Sequence, residues 1–417
     1  MKRLGLVLAG LALAGAVNTA DAQLTMQMSN GWNFTFAGNV NAFFVFSSQG
    51  SDGDLDGSAP GAPVGLTGVG RDGTFFGTGL LPAFATFEAK GKEGNTDLGV
   101  HFGFAPEVQC GSAAGGGVHD CFGSQIDMRQ VYLTVGGSWG QILMGKELGL
   151  FNRQNILQDQ TLFGVGATGI QTGGTTLGRI GYGYIYPNFV GQLTYSTVAG
   201  KPLQFAVGLF DPSAINLIDA VYGAAYSETI LPRLEAEVTY KTDGGSLFWA
   251  NGTVQNAKDP VDGGLGSKTA VGLGGGIKFA GKKFSLVGTG YWGSGIGTTL
   301  QFSGAGPGAQ GYGVAFDGSG DLRTSYGYYF QGSVTPGKST VAASYGASAI
   351  KGTDGEGGGT ITNSVVVVGL YHQLTKSLKW VIEGGYQWSS LGDLPTGFPD
   401  VNSNTQFNIS TGLMLFF

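Results

Sequence analysis

Charge is scarce in this chain. Only 12% of its 417 residues are Asp, Glu, Lys or Arg, and the formal net charge is −6. That mild acidity excludes the basic surface that nucleic-acid binding needs. Long apolar runs are missing too. Hydrophobic residues reach 42%, yet beyond the amino-terminus no run approaches the roughly 20 residues a membrane-spanning helix needs. Histidine is limited to His101, His119 and His372. They are scattered along the chain, which argues against a hydrolase that sets a His beside a Ser or carboxylate. What is abundant is glycine, 79 residues, and aromatics, 12%. Apolar residues dispersed among glycines and aromatics point to an all-β chain.

The amino-terminus reads as an export signal. Lys2 and Arg3 precede an apolar stretch from Leu4 to Val17, and Ala20-Asp21-Ala22 has the small-x-small cleavage pattern. Residues 1–22 are therefore expected to be removed, leaving 23–417 as one structural domain. Export places the two cysteines, Cys110 and Cys121, in an oxidising compartment where a disulfide persists. A bridge across that Gly-rich loop would contribute about 3 kcal/mol in the chain-entropy picture. The other reading is a metal pair completed by His119, which offers few ligands for a structural site.

The last fourteen residues alternate. Phe407, Ile409, Thr411, Leu413, Leu415 and Phe417 lie on one face, and Gln406, Asn408, Ser410 and Gly412 on the other. Alternate side chains of a strand point to opposite faces. Trp32 to Phe46 mirrors this, with Trp32, Phe34, Phe36, Val40 and Phe44 opposite Asn33, Thr35, Asn39 and Asn41; the pattern blurs at Phe43 and Val45. A soluble chain seldom stops inside a hydrophobic strand, since ends fray. A closed transmembrane barrel gives that strand a partner in the first one. Many inward rows are too polar or too small for a dry core, the reverse of a soluble sandwich.

Strands are joined alternately by short and long connections. Short turns fall at Gly91–Asn95, Gly136–Gly140, Thr242–Gly245, Ala280–Lys282, Pro336–Gly337 and Thr375–Lys376. Long connections cover Ser47–Leu81, Glu147–Leu177, Asp211–Leu231, Asn256–Ser267, Ser294–Asp321, Lys351–Thr362 and Ser389–Ser403. Outer-membrane barrels have short periplasmic turns and long external loops. Closure of the last strand on the first demands an even number. Reading Gly178–Val198 as one strand bulged at Pro187, where the apolar phase slips by one residue, makes the total sixteen, with Leu203–Phe210 as the seventh. Asn363–Gln373 is apolar on both faces and leaves its register open. Sixteen strands enclose an aqueous channel.

At four places the chain resembles the general porins of Gram-negative outer membranes: Arg129-Gln130-Val131-Tyr132-Leu133, Gly140-Gln141-Ile142-Leu143-Met144-Gly145-Lys146, Arg179-Ile180 with Tyr186-Pro187-Asn188-Phe189-Val190-Gly191, and the terminal Phe417. The resemblance implies a sixteen-stranded antiparallel barrel in the outer membrane that passes small hydrophilic solutes and ions by passive diffusion. It also implies a homotrimer seated in lipid and lipopolysaccharide, and a third external loop, 147–177, folded into the lumen. Phe417, with Phe407, Ile409, Leu413 and Leu415, would close the barrel and be read by the barrel-assembly machinery. Porins oppose loop carboxylates to wall cations, and the transverse field sorts solutes. Arg129, Lys146 and Arg179 match the wall positions, with Asp159 opposite and Glu147 and Arg153 as the loop's other charges. Lysine at 146 replaces the usual arginine and the loop carries only Glu147, Arg153 and Asp159 as charges, so the field is expected to be weak and Gln154, Asn155, Gln158, Gln160 and Phe163 to matter more. The alternatives are a substrate-specific, sugar-like channel using Tyr329, Tyr132 and Phe84, and a non-channel barrel acting as enzyme or adhesin.

Two motifs carry less. Asp52, Asp54 and Asp56 open with calcium-loop spacing, but Pro63 stands where a bidentate Glu is needed. A weakly bound divalent cation is the most they suggest; no cofactor or metal is expected otherwise. Gly164 to Gly169 matches G-x-G-x-x-G without the strand–turn–helix context that would give it meaning.

Overall fold

The computed structural model describes residues 24–49, 73–108, 126–168, 175–213, 228–258, 266–302, 321–356, 359–392 and 401–417. The leader, Cys110, Cys121, His119, Asp52, Asp54 and Asp56 lie outside the described residues. The strands are β1 (Asn33–Gln49), β2 (Gly73–Gly77 and, after a break, Phe84–Glu93), β3 (Thr96–Pro106), β4 (Ile126–Gly137), β5 (Gly140–Leu148) and β6 (Phe189–Ser196). They continue with β7 (Leu203–Phe210), β8 (Arg233–Lys241), β9 (Leu247–Lys258), β10 (Ser267–Ala280) and β11 (Phe284–Ser294). The last five are β12 (Thr324–Val334), β13 (Ser339–Lys351), β14 (Thr360–Gln373), β15 (Leu378–Gly392) and β16 (Val401–Phe416). Each pairs antiparallel with its sequence neighbours, and β16 pairs with β1, closing a sixteen-stranded barrel. A short strand, Leu24–Gln27, adds to the start of β1.

The seam follows from the alternation at the two ends. Phe407, Ile409, Leu413 and Leu415 stand opposite Ser48, Phe46, Ala42 and Val40. Phe417 extends the ladder, exchanging backbone hydrogen bonds of 2.8 and 3.0 Å with Gly38, and its ring lies 5.3 Å from that of Phe36. In hydrocarbon an unpaired backbone N–H or C=O costs several kcal/mol, so closure is what lets these strands span. The outer face is apolar on every side: Leu273 is 64% exposed, Phe330 60% and Met144 57%. In water such a face would aggregate; in a bilayer it is the solvated one.

Three local expectations are corrected. Gly178–Val198 is not one bulged strand: β6 begins only at Phe189, and residues 178–185 are buried on both parities. Gly178 and Gly181 take φ of 57° and 80°, left-handed values that break an extended chain. The alternating Ile180, Tyr182 and Tyr184 therefore belong to a turn-rich inner segment, not to the wall. Next, the Ser47–Leu81 connection contains structure, since Gly73–Gly77 pairs with Phe43–Ser47 as the outer half of β2. Third, the interior is not uniformly wet. Phe43 and Val45, where the alternation blurred, point inward and are fully buried in an apolar cluster with Leu80, Ile156, Leu162 and Val165. β14 is apolar on both faces for the same reason: Val366 and Val368 are exposed outside, while Val365 and Val367 pack on Tyr182.

Candidate functional site

The chain between β5 and β6, described for residues 149–168 and 175–188, is where the predicted site residues gather. Asn152 starts the inner fold. Its φ of 61° is one that Asn tolerates better than most residues. Its side-chain oxygen accepts from Asn155 at 2.8 Å, and α1 (Arg153–Leu157) follows. Asp159 then caps a 3₁₀ turn (Gln160–Phe163), accepting from the Thr161 N–H at 2.9 Å.

Buried faces of the wall strands hold this segment by hydrogen bonds. From β8, Glu235 accepts from the Leu150 and Phe151 N–H groups at 2.7 and 2.9 Å, and Glu237 pairs with Arg153 at 2.5 Å. From β9, the Trp249 indole donates to Asn155 at 2.7 Å. From β12, the Tyr329 hydroxyl donates to the Asn155 carbonyl at 2.7 Å, and Gln331 accepts from the Gln160 N–H at 2.6 Å. From β15, Glu383 accepts from the Gly166 N–H at 2.7 Å. A second stretch, 295–302, reinforces the first: Gln301 donates to Glu235 at 3.0 Å, and the Thr299 carbonyl accepts from the Tyr186 N–H at 2.8 Å.

Of the three cations expected to face Asp159, the structure brings only Arg179 to it. The two form an ion pair with side chains wholly shielded from solvent. Arg179 also donates to Ser344 and lies 5.3 Å from the Tyr329 ring centre, and the Tyr184 hydroxyl donates to Asp159 at 2.8 Å. Burial alone would push the Arg179 guanidinium down, but the Asp159 carboxylate more than offsets it and the pKa stands above the ordinary value. Burial, with the same carboxylate, pushes the Tyr184 hydroxyl well up, so it stays a neutral donor. Opposite charges in contact cancel as seen from a distance, so this pair acts as a clasp rather than as two poles of a field.

The other expected residues lie elsewhere. Arg129 is the extra residue of a bulge between β3 and β4; its Nε donates to Asp127 at 2.7 Å and its guanidinium lies over the Phe189 ring. Lys146 stands opposite Val131 on the same outer face as Met144, and its Nζ donates to the Met128 carbonyl at 2.8 Å. Glu147 is buried and accepts from Gln130 at 2.7 Å. The aromatic track is not assembled: Tyr329 is covered by the segment, Tyr132 stacks on His101 at 4.8 Å, and Phe84 stands apart from both at a cavity. The Glu235, Glu237 and Glu383 anchors were missed in the sequence. An acidic residue on an otherwise inward strand face was the signal available.

The segment's apolar side chains join one cluster with residues of β1, β5, β9 and β11 to β16, against which Phe75 and Phe84 of β2 and Phe189 of β6 also pack. Between the segment and strands β2 to β6 the packing leaves a cavity of about 310 Å³, with Phe84, Gln130 and Leu148 on the wall side.

A closed transmembrane barrel with chain packed against its inner faces is the architecture of an outer-membrane channel. The comparisons agree: the Gram-negative porin family matches residues 5–390, and the chain belongs to that family. It is an outer-membrane porin, a channel for passive diffusion. Family and fold point to a channel rather than an enzyme.

Among solved structures, the outer membrane channel DcaP of Acinetobacter baumannii matches with a TM-score of 0.65 at 16% identity, over 94% of this chain and 99% of its own. An anion-selective porin from Comamonas acidovorans matches at 0.58 and 14%, over 93% and 100%. OmpT of Vibrio cholerae in its trimer form matches at 0.52 and 14%, over 93% and 100%. No curated protein matches the chain by sequence.

Proposed function

We propose that the segment 149–188 constricts this porin and that small hydrophilic solutes and ions diffuse through the gap between it and β2 to β6. The observation that carries this reading is the cavity of about 310 Å³ left between the segment and β2 to β6, where the rest of the wall is joined to the segment by hydrogen bonds and apolar packing. No bond is made or broken, and size sorts solutes first. The family resemblance and the trimer form of a structural neighbour support a homotrimer. Trimers would sit in lipid and lipopolysaccharide, after the assembly machinery has read the Phe417 end.

Reconstitution in a planar bilayer tests the reading. Stepwise, ohmic conductance is the expected result, in increments small for a sixteen-stranded barrel because the segment occupies part of the lumen. Silence, or the large steps of an empty barrel, would contradict it.

A further inference from the structure

The passage itself is oily. Facing Phe84 of the wall across the cavity are Leu157, Leu162 and Ile180 of the inner segment and Leu300 of the second inner stretch. Among the described residues Arg129 is the single charged residue at its border. It is ion-paired through Nε with Asp127, with Glu107 also nearby, and that is the only hydrogen bond its side chain makes among the described residues, so what it offers a solute is directed donors more than net charge. Its terminal guanidinium nitrogens, a planar fork suited to a carboxylate, accordingly retain their donors. Channels built to pass sugars or inorganic ions line their narrowest part with polar groups, because a hydrated solute must exchange water for something. Here most of the exchange would be for leucine, isoleucine and phenylalanine, with Gln130, Thr176 and Thr299 among the polar groups that remain, so an apolar body gains over a hydrated one of the same size.

We infer, on the reading that solutes cross by this gap, that the channel selects compact carboxylates with an apolar body, a monocyclic aromatic acid being the simplest, whose ring lies against Leu157, Ile180 and Phe84 while the carboxylate meets Arg129. The charge is required by the task as well as by Arg129. A neutral apolar molecule crosses a bilayer unaided, whereas an ionised one does not and gains from a channel.

The test is the ratio of benzoate to acetate permeability, from reversal potentials of the reconstituted protein under gradients of the two sodium salts. The carboxylate is shared and only the apolar body differs. Sieving by size alone favours acetate; the inference predicts benzoate ahead by at least about twofold, from burial of the ring. Leu157→Asn and, on the other inner stretch, Leu300→Asn should each bring the ratio below one. A wild-type ratio below one, or a ratio unmoved by both variants, would overturn the inference and leave the channel intact. Absence of any conductance would overturn the channel reading on which it rests.

Discussion

Replacing Arg179 with methionine should raise single-channel conductance severalfold. The guanidinium joins Asp159 of the segment to Ser344 of β13, and all three are buried. Methionine keeps the length and the packing on Tyr329 but leaves the Asp159 carboxylate buried beside only the Tyr184 hydroxyl and the Thr161 N–H. An uncompensated buried charge costs about 3–5 kcal/mol, so the segment around Asp159 loosens from β13 and opens part of the cross-section it filled. The double variant Arg179→Met with Asp159→Asn removes the orphaned charge and should return conductance most of the way to wild type. Recordings of the three forms check this; an unchanged conductance in Arg179→Met would mean the pair does not hold the segment. The same geometry sets what Asp159→Asn alone should do. Loss of the carboxylate leaves the Arg179 guanidinium as an uncompensated positive charge inside the barrel, so conductance should respond and the reversal potential should shift towards anions.

The second large effect lies at the seam. Gly412 of β16 stands opposite Phe43 of β1, and a methyl group there would collide with the Ala42 carbonyl oxygen and lie 2.7 Å from the Phe43 Cα. These are backbone atoms of the partner strand, so relief requires the two strands to part where the barrel closes. Gly412→Ala should therefore abolish the heat-resistant, compact form of the barrel on gel electrophoresis. Gly384→Ala, one strand away, has only ordinary contact to make, at 3.9 Å from the Asn408 carbonyl oxygen, and should leave that form unchanged. Overpacking in a well-packed site costs about 1–3 kcal/mol even when it can relax; here the edges it separates have no water to satisfy them.

How much of this was legible in the sequence divides along physical lines. The barrel was, because lipid on one side and polar or small groups on the other impose a period of two on every strand, and the closing pair at Ile409 and Phe46 carries that pattern at both ends of the chain. The inner segment was not. Ile180, Tyr182 and Tyr184 alternate as a strand would, and nothing local announces that glycines 178 and 181 take left-handed turns until the packing around them is seen. Phe43, Val45 and the valines of β14 broke the pattern because a strand facing an oily insert is apolar on both sides, which periodicity alone reads as noise. Charges were found but not their partners. Asp159 and Arg179, twenty positions apart, form a contact and not a field, and Lys146, matched to a wall position, sits on the outer face.

The central claim is that solutes pass between the inner segment and strands β2 to β6. Leu157→Trp tests it most directly, because residue 157 borders the cavity from the segment side and the added ring would occupy much of its roughly 310 Å³. Single-channel conductance in potassium chloride should fall by at least about half as the narrowest volume is filled, whereas Leu209→Trp, on the lipid face of β7, should change nothing. Equal conductance in wild type and Leu157→Trp would place the passage elsewhere in the barrel and contradict the account.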